Sequence, residues 1–450
     1  MTEPEPPGRR HRVRRIFVDT TPLRLDHDFR WLWTGQAISG IGNQITRLAL
    51  PYQVYRETGS TLAIAGLTFF QLLAILSFSL GAGSLADAVD RRRMLRFTQL
   101  AMMACSLTLA ILALQPSVPI PVLYVVGFAT AAAGSLDQPA RASAIPRLVP
   151  RERLPNAIAL NQLNFQTASV VGPAIAGILI ATIGLAGAYF VDVASFTASL
   201  IALLAIAPIP PLVGTTRPGL AAIREGLRFV RQRRVILSTY VIDLNAMIFG
   251  MPTSLFPALA LDVFHVGPQG LGLLAAAPSV GALLGALLSG WVSTVRRIGL
   301  AVFVAVAIWG GAIALFGLSV FSFALALVFL AIAGGADVIS AVFRSTIVQL
   351  AAPDHLRGRV TSVNILVVTS GPRIGDIEAA VVASIFGAQF SVVSGGLLCL
   401  LGLVGVARWF PELVHHVREA GPAGTAGTAE GPLPDPEPAQ PPVQGSAAEP

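Results

Sequence analysis

The chain has 450 residues, 54% of them hydrophobic and only 12% charged, with a net charge of +7; an average soluble domain carries about 25% charged residues. All 31 basic residues are arginines, spread through short connections rather than gathered in one patch, which excludes a nucleic-acid surface and fits a topology signal beside anionic headgroups. A helical crossing of a bilayer needs about 20 apolar residues, and lipid admits only helices for such segments, so the chain is a polytopic membrane protein.

In chain order, a tail over 1–28 carries a basic leader at 9–15 with no small-residue cleavage site behind it, which reads as an uncleaved cytoplasmic start. A first half, 29–208, holds predicted spans over 31–54, 62–86, 95–115, 119–140, 157–183 and 186–208. A linker over 209–234 follows, in which Leu220, Ile223, Leu227 and Val230 recur at helical spacing beside arginines. That pattern predicts an amphipathic helix lying on the inner membrane surface. The second half, 235–411, holds spans over 235–263, 270–294, 298–319, 322–349, 360–387 and 389–411. The tail over 412–450 turns Pro-, Gly- and Ala-rich and is expected to be disordered, with His415 and His416 solvated in it. The fold class is thus all-α, with twelve membrane helices in two pseudo-symmetric halves of six.

Arginines mark every other connection: Arg91, Arg92, Arg93 and Arg96 after span two, Arg141, Arg147, Arg151 and Arg153 after span four, and Arg217, Arg224, Arg228, Arg231, Arg233 and Arg234 after span six. Arg296 and Arg297 follow span eight, and Arg357 and Arg359 precede span eleven. The opposite connections are nearly bare, which puts both termini in the cytoplasm of a cell inner membrane protein. The halves also echo each other. Arg141, Pro150 and Asn161 match Arg344, Pro353 and Asn364 at a common offset of 203. Duplicated six-span halves with a site between them near the midplane are a transporter architecture.

Two short motifs stand in this frame. Gly83, Asp87 and Arg91 lie in the connection after span two, where Gly83 permits close packing and Asp87 can meet the positive end of a helix. Gly172, Pro173 and Gly177 in span five let two helices approach and bend. The first resembles the signature loop of the major facilitator superfamily, with Ala88 and Asp90 departing from the pattern, and the second is similar to that superfamily's antiporter motif. The text of span one and of the connector after span four resembles the enterobactin-exporter-like branch, the transmembrane secretion effectors. The resemblance covers about residues 28–411 and implies an inner gate at Gly83, Asp87 and Arg91. It further implies that spans one, four, seven and ten line a central cavity. That places Gln36, Asn43, Arg47, Asp243, Asn245 and Asp337 on its wall.

Charges inside the spans narrow the candidates, since each costs about 2.5–3.5 kcal/mol at a helix centre and normally faces a cavity or a partner. They are Arg47, Asp192, Asp243, Asp337, Arg373, Asp376 and Glu378. Asp192, near the outer end of span six, reads as structural, and Asp137 with Arg141 as a pair at the inner end of span four. Gly371 and Pro372 are expected to bend or break span eleven. Arg373 and Asp376, three apart, share a helical face and can neutralise each other. Glu378, turned about 160° from Asp376, then becomes the acid expected to carry a proton. Cys105 and Cys399 read as packing residues. No catalytic triad, phosphate loop or metal spacing is present in the sequence, so no cofactor is expected and energy would come from an ion gradient. The expectation is a proton-coupled exporter of small amphipathic molecules (drugs, secondary metabolites or siderophores), with a small-molecule substrate, protons and lipid as partners and no required protein partner. An importer, a sensor on the same fold and a membrane-embedded enzyme are the alternatives.

Overall fold

The computed structural model describes residues 19–210, 220–353, 356–415 and 417, with the side chains of 79–88, 220–223, 226, 357, 358 and 362 outside the description. Long helices make up nearly all of it, and no strand occurs among the described residues. In the first half they are α1 (His27–Thr58), α2 (Thr61–Ala88), α3 (Arg91–Leu112), α4 (Ile120–Leu148) and α5 (Leu154–Leu204). The predicted loop between spans five and six is a single hinge inside α5: Gly184 takes φ 75°, a left-handed conformation that interrupts an otherwise continuous helical path. The linker carries α6 (Leu220–Gln232), the amphipathic helix expected there. The second half holds α7 (Arg234–Phe249), α8 (Gly267–Leu287), α9 (Ile298–Leu318), α10 (Phe323–Ala351), α11 (Arg357–Phe386) and α12 (Ala388–Trp409).

Local chemistry sets several of these ends. Gly59 at φ 59° closes α1, and its N–H bonds back to the Tyr55 carbonyl. Asp90 caps α3, its Oδ1 accepting from the Arg93 N–H at 3.0 Å. Among the described residues, nine stretches are long and apolar enough to cross a membrane, the one over Arg151–Leu204 containing the Gly184 hinge. The long helices α1 and α11, which carry internal charges, are not among the nine.

The helix break expected in span eleven is found in span seven. α11 runs unbroken through Gly371 and Pro372. Span seven, expected over 235–263, is broken: α7 stops at Gly250, a 3₁₀ turn spans Thr253–Leu255, and a π-helical turn over Leu259–Val263 ends the crossing. Pro252 cannot donate a helical hydrogen bond, and Gly250 beside it lowers the cost of leaving the helix.

Packing within the first half joins α1 to α5, α2 to α4, and α3 to both α4 and α5; the second half pairs α8 with α10, α9 with α10 and α12, and α7 with α11. Two seams connect the halves, α5 against α8 and α2 against α11. Each seam maps onto the other when the halves are exchanged, as a pseudo-two-fold relation requires. The linker helix α6 lies along α11 and α7, with Glu225 ion-paired to Arg359. Exposed apolar residues such as Val125, Leu287 and Ile385 form the outward surface that lipid would cover.

Candidate functional site

The first half presents a polar stripe on α1. Gln36, Asn43 and Arg47 recur at helical spacing and so share one face. Gln36 and Asn43 are half-buried, Arg47 is exposed, and none of the three makes a hydrogen bond to a described residue. One residue earlier, Thr46 points the other way into packing. Its Oγ1 donates to Asp192 Oδ2 at 2.6 Å, Ser106 Oγ donates to the same oxygen at 2.6 Å, and Ser195 Oγ reaches Asp192 Oδ1 at 3.2 Å. Asp192 is fully buried and ties α1, α3 and α5 together through hydroxyls. A methyl on Gly42 would sit 2.4 Å from Asp192 Oδ1, so α1 passes this node with no room for a side chain.

Below it, Asp137 and Arg141 pair along α4: Arg141 Nε donates to Asp137 Oδ2 at 2.5 Å, while Thr98 and Gln99 of α3 donate to Asp137 Oδ1 at 2.7 and 3.0 Å. Arg91 is buried nearby. Its Nε donates to Ser143 Oγ at 3.2 Å and its Nη1 to the Pro210 carbonyl at 3.1 Å, so the signature-loop arginine joins α3 to α4 and to the start of the linker. The side chains of Gly83 and Asp87 lie outside the described residues.

The second half answers Arg141 with Arg344, its repeat mate. Arg344 Nη2 lies 2.7 Å from Asp243 Oδ1 of α7 and 3.7 Å from Asp337 Oδ1 of α10, and its Nη1 donates to Ser340 Oγ at 2.6 Å. The Asp243 contact is an ion pair at short range but is not aligned as a hydrogen bond. The Asp243 side chain is 4% exposed and the Asp337 side chain 30% exposed, so two acids of different accessibility share one cation. Asp337 and Arg344 are seven apart, on one helical face, a spacing that would have linked them in the sequence. Tyr240, one turn before Asp243, sends its hydroxyl to the Val360 carbonyl at 3.4 Å.

On α11 the expected Arg373–Asp376 pair is absent among the described residues. Arg373 Nη1 donates instead to Gln71 Oε1 of α2 at 2.6 Å, across the seam between the halves. Asp376 Oδ1 accepts from Thr253 Oγ1 at 2.7 Å and from the Ser254 N–H at 2.8 Å. The broken segment of span seven therefore supplies the donors that the sequence reading sought on α11 itself. Sequence reasoning missed Gln71, Thr253 and Ser254; the Gly250 and Pro252 pair inside an apolar span was the available signal for the last two. Glu378 is brought to neither Arg373 nor Asp376. It shares an α11 stripe with the exposed Ile374, Val381 and Ile385 and has no polar partner among the described residues. Asn245 also leaves the cavity set: its Nδ2 donates to the Cys399 carbonyl of α12 at 2.9 Å, which makes it a helix-packing group.

The span-five motif sits on the other seam. A methyl on Gly172 would lie 2.6 Å from Gln44 Cβ of α1, and one on Gly177 would lie 2.5 Å from the Pro268 carbonyl oxygen and 3.0 Å from Gly272 Cα of α8. The Pro173 carbonyl oxygen would be equally close, 2.5 Å, to a methyl on Gly272. Small residues thus let α5 and α8 touch backbone to backbone. Toward the same helix ends, Tyr55 donates to Asp262 and Thr61 Oγ1 donates to the Ala380 carbonyl at 3.0 Å, both across the halves. These lie at the ends opposite the arginine-rich connections.

The profile of the family described as transmembrane secretion effector matches residues 19–417. An enterobactin exporter from Citrobacter koseri is 29% identical over 402 residues, spanning 88% of this chain and 94% of that one. One from Shigella boydii is 28% identical over 400 residues, spanning 86% and 94%. Among solved structures, an inward-facing bacterial homologue of the human lysosomal transporter Spinster superposes with a TM-score of 0.69 at 14% identity, covering 88% of this chain and 99% of that one. A bacterial homologue of the iron transporter ferroportin, also inward-facing, gives 0.62 at 16% identity, covering 87% and 100%. At these identities the two structures speak to the fold.

Proposed function

The chain belongs to the transmembrane secretion effector family, transporters of the major facilitator type, and from that premise we propose that it exports small amphipathic molecules in exchange for protons. Drugs, secondary metabolites and siderophores are the substrate classes in view, and the likeness to enterobactin exporters supports the outward direction. In this reading the helices make twelve crossings in halves over 29–208 and 235–411, both termini are cytoplasmic, and the halves rock about a site between them.

The observation that carries the coupling is the Asp243–Arg344–Asp337 cluster. Two carboxylates and one guanidinium leave one negative charge without a partner inside the membrane, a condition that uptake of a proton relieves. Asp337 is the acid open to solvent and the more distant from Arg344, so it is the group that exchanges the proton, while Asp243 holds Arg344 in place. Glu378, on its apolar stripe, has no polar partner among the described residues. The reading is tested with purified protein in liposomes under an imposed pH gradient. Asp337→Asn should abolish uphill movement of a transported dye and its accompanying proton flux while downhill exchange of the dye persists. Retained uphill transport in Asp337→Asn, with loss in Glu378→Gln, would move the coupling acid to α11.

A further inference from the structure

Arg47 and Arg373 come from different halves, and the surroundings of Gln71 and Leu50 set them at a similar level along their helices. Gln71, which accepts from Arg373 at 2.6 Å, lies against Gly127 beside Leu50, one helical turn beyond Arg47 on α1. Arg373 and Asp376 both lie within electrostatic reach of Arg47. Neither guanidinium forms an ion pair with a described residue. Asp376, an acid within reach of both, has its Oδ1 committed to Thr253 and Ser254. Two positive charges against one negative leave a positive charge over, deep in a membrane protein where an uncompensated charge is costly. Arg47 is nevertheless exposed, on the same stripe as the unpartnered Gln36 and Asn43. Arg373 has given one of its five N–H donors to Gln71, so most of both planar forks are free.

Such forks match the two oxygens of a planar oxyanion. We propose that Arg47 and Arg373 form the recognition site for a planar oxyanion on the transported molecule, so that the substrate is an organic anion of carboxylate type. This rests on the transport reading above and names its substrate class. The anion would bridge the halves and complete the charge balance, and Gln36 and Asn43 would meet neutral polar groups on the rest of the molecule. The shared chemistry, an oxyanion, has a second source in an anionic lipid headgroup, which the test separates.

The test is binding to the purified full chain in phosphatidylcholine nanodiscs, read as thermal stabilisation and as Kd, for a panel of aromatic carboxylates beside their neutral primary amides. The carboxylates should bind and the amides should not. Arg47→Gln and Arg373→Gln should each weaken carboxylate binding at least tenfold through loss of a charge-assisted bidentate contact, while Arg47→Lys keeps part of it. Equal binding of acids and amides, no carboxylate binding at all, or affinity unchanged in both Gln variants would overturn the proposal. Replacing part of the lipid with phosphatidylglycerol should leave carboxylate binding in place; its displacement would assign the site to a headgroup and overturn a soluble substrate. Because binding needs no turnover, dye export can fail in vesicles while Arg-dependent binding stands, and the reverse, so the two readings fail separately.

Discussion

Arg344 keeps one acid at 2.7 Å and another at 3.7 Å, so replacing each leaves a different remainder. Asp243→Asn removes the nearer charge from a buried guanidinium, and a broken buried pair costs up to about 3–5 kcal/mol, lessened here because Asp337 remains in reach. The expected outcome is a clear fall in Tm for Asp243→Asn and a smaller one for Asp337→Asn, whose acid is partly solvated. Asp337→Asn, by contrast, should remove the proton flux. Asp376 allows a second distinction. Its Oδ1 accepts from Thr253 and Ser254, so Asp376→Ala strands a hydroxyl and a backbone N–H, about 1–3 kcal/mol for each group left unsatisfied. Asp376→Asn retains an acceptor oxygen and should cost less than half as much. Were the acid instead needed to neutralise Arg373, Asn and Ala would destabilise alike, and thermal unfolding of the two variants decides the point.

At the scale of elements, periodicity and arginine placement carried most of the helices, because a crossing needs length and apolarity and little else. They failed where a backbone break depends on who satisfies the freed groups. Gly371 and Pro372 look like a break, yet α11 holds its helix across them. Gly250 and Pro252 do end α7, since Trp309 Nε1 donates to the Gly250 carbonyl at 2.8 Å and the 3₁₀ turn finds Asp376. Both partners sit on other helices, beyond the reach of any local pattern. The hinge of α5 gives a clean prediction. Gly184 takes φ 75° with open space around its Cα, so Gly184→Ala meets strain and no clash. It should cost about 1–3 kcal/mol, because φ 75° with ψ 176° is a region open essentially to glycine alone, and Gly184→Asn should cost as much as Gly184→Ala. Equal unfolding temperatures for Ala and the parent would mean that the hinge straightens.

At the scale of the whole molecule, the two-half plan was legible in the 203-residue echo of Arg141 and Arg344, but the way the halves meet was not. Arg141 pairs along its own helix with Asp137, while Arg344, with Ser340 at the matching position, reaches across to α7. The repeat preserves the arginine and changes its partner. Contacts between the halves were equally hidden, since Gln71, Tyr55 and Asp262 read singly as ordinary residues of apolar helices. Among the described residues, several bridges between the halves gather toward one end: Tyr55 to Asp262, Thr61 to the Ala380 carbonyl, and the Gly177–Gly272 crossing. A transporter that alternates access must break such a set when that end opens, so weakening it should shift the population of states. Tyr55→Phe removes the hydroxyl that Asp262 accepts and leaves the ring's packing in place. With Cys105 and Cys399 replaced, a cysteine introduced at Gln44, beside the α5 crossing, becomes a single reporter of access from that end. The expected outcome is several-fold faster modification by a membrane-impermeant maleimide added on the Tyr55 side, with a loss of unfolding free energy no larger than about 1 kcal/mol for one lost hydrogen bond. If labelling is unchanged while substrate export slows, Tyr55 and Asp262 act on a later step than opening, and closure at that end rests on the backbone contact of α5 with α8.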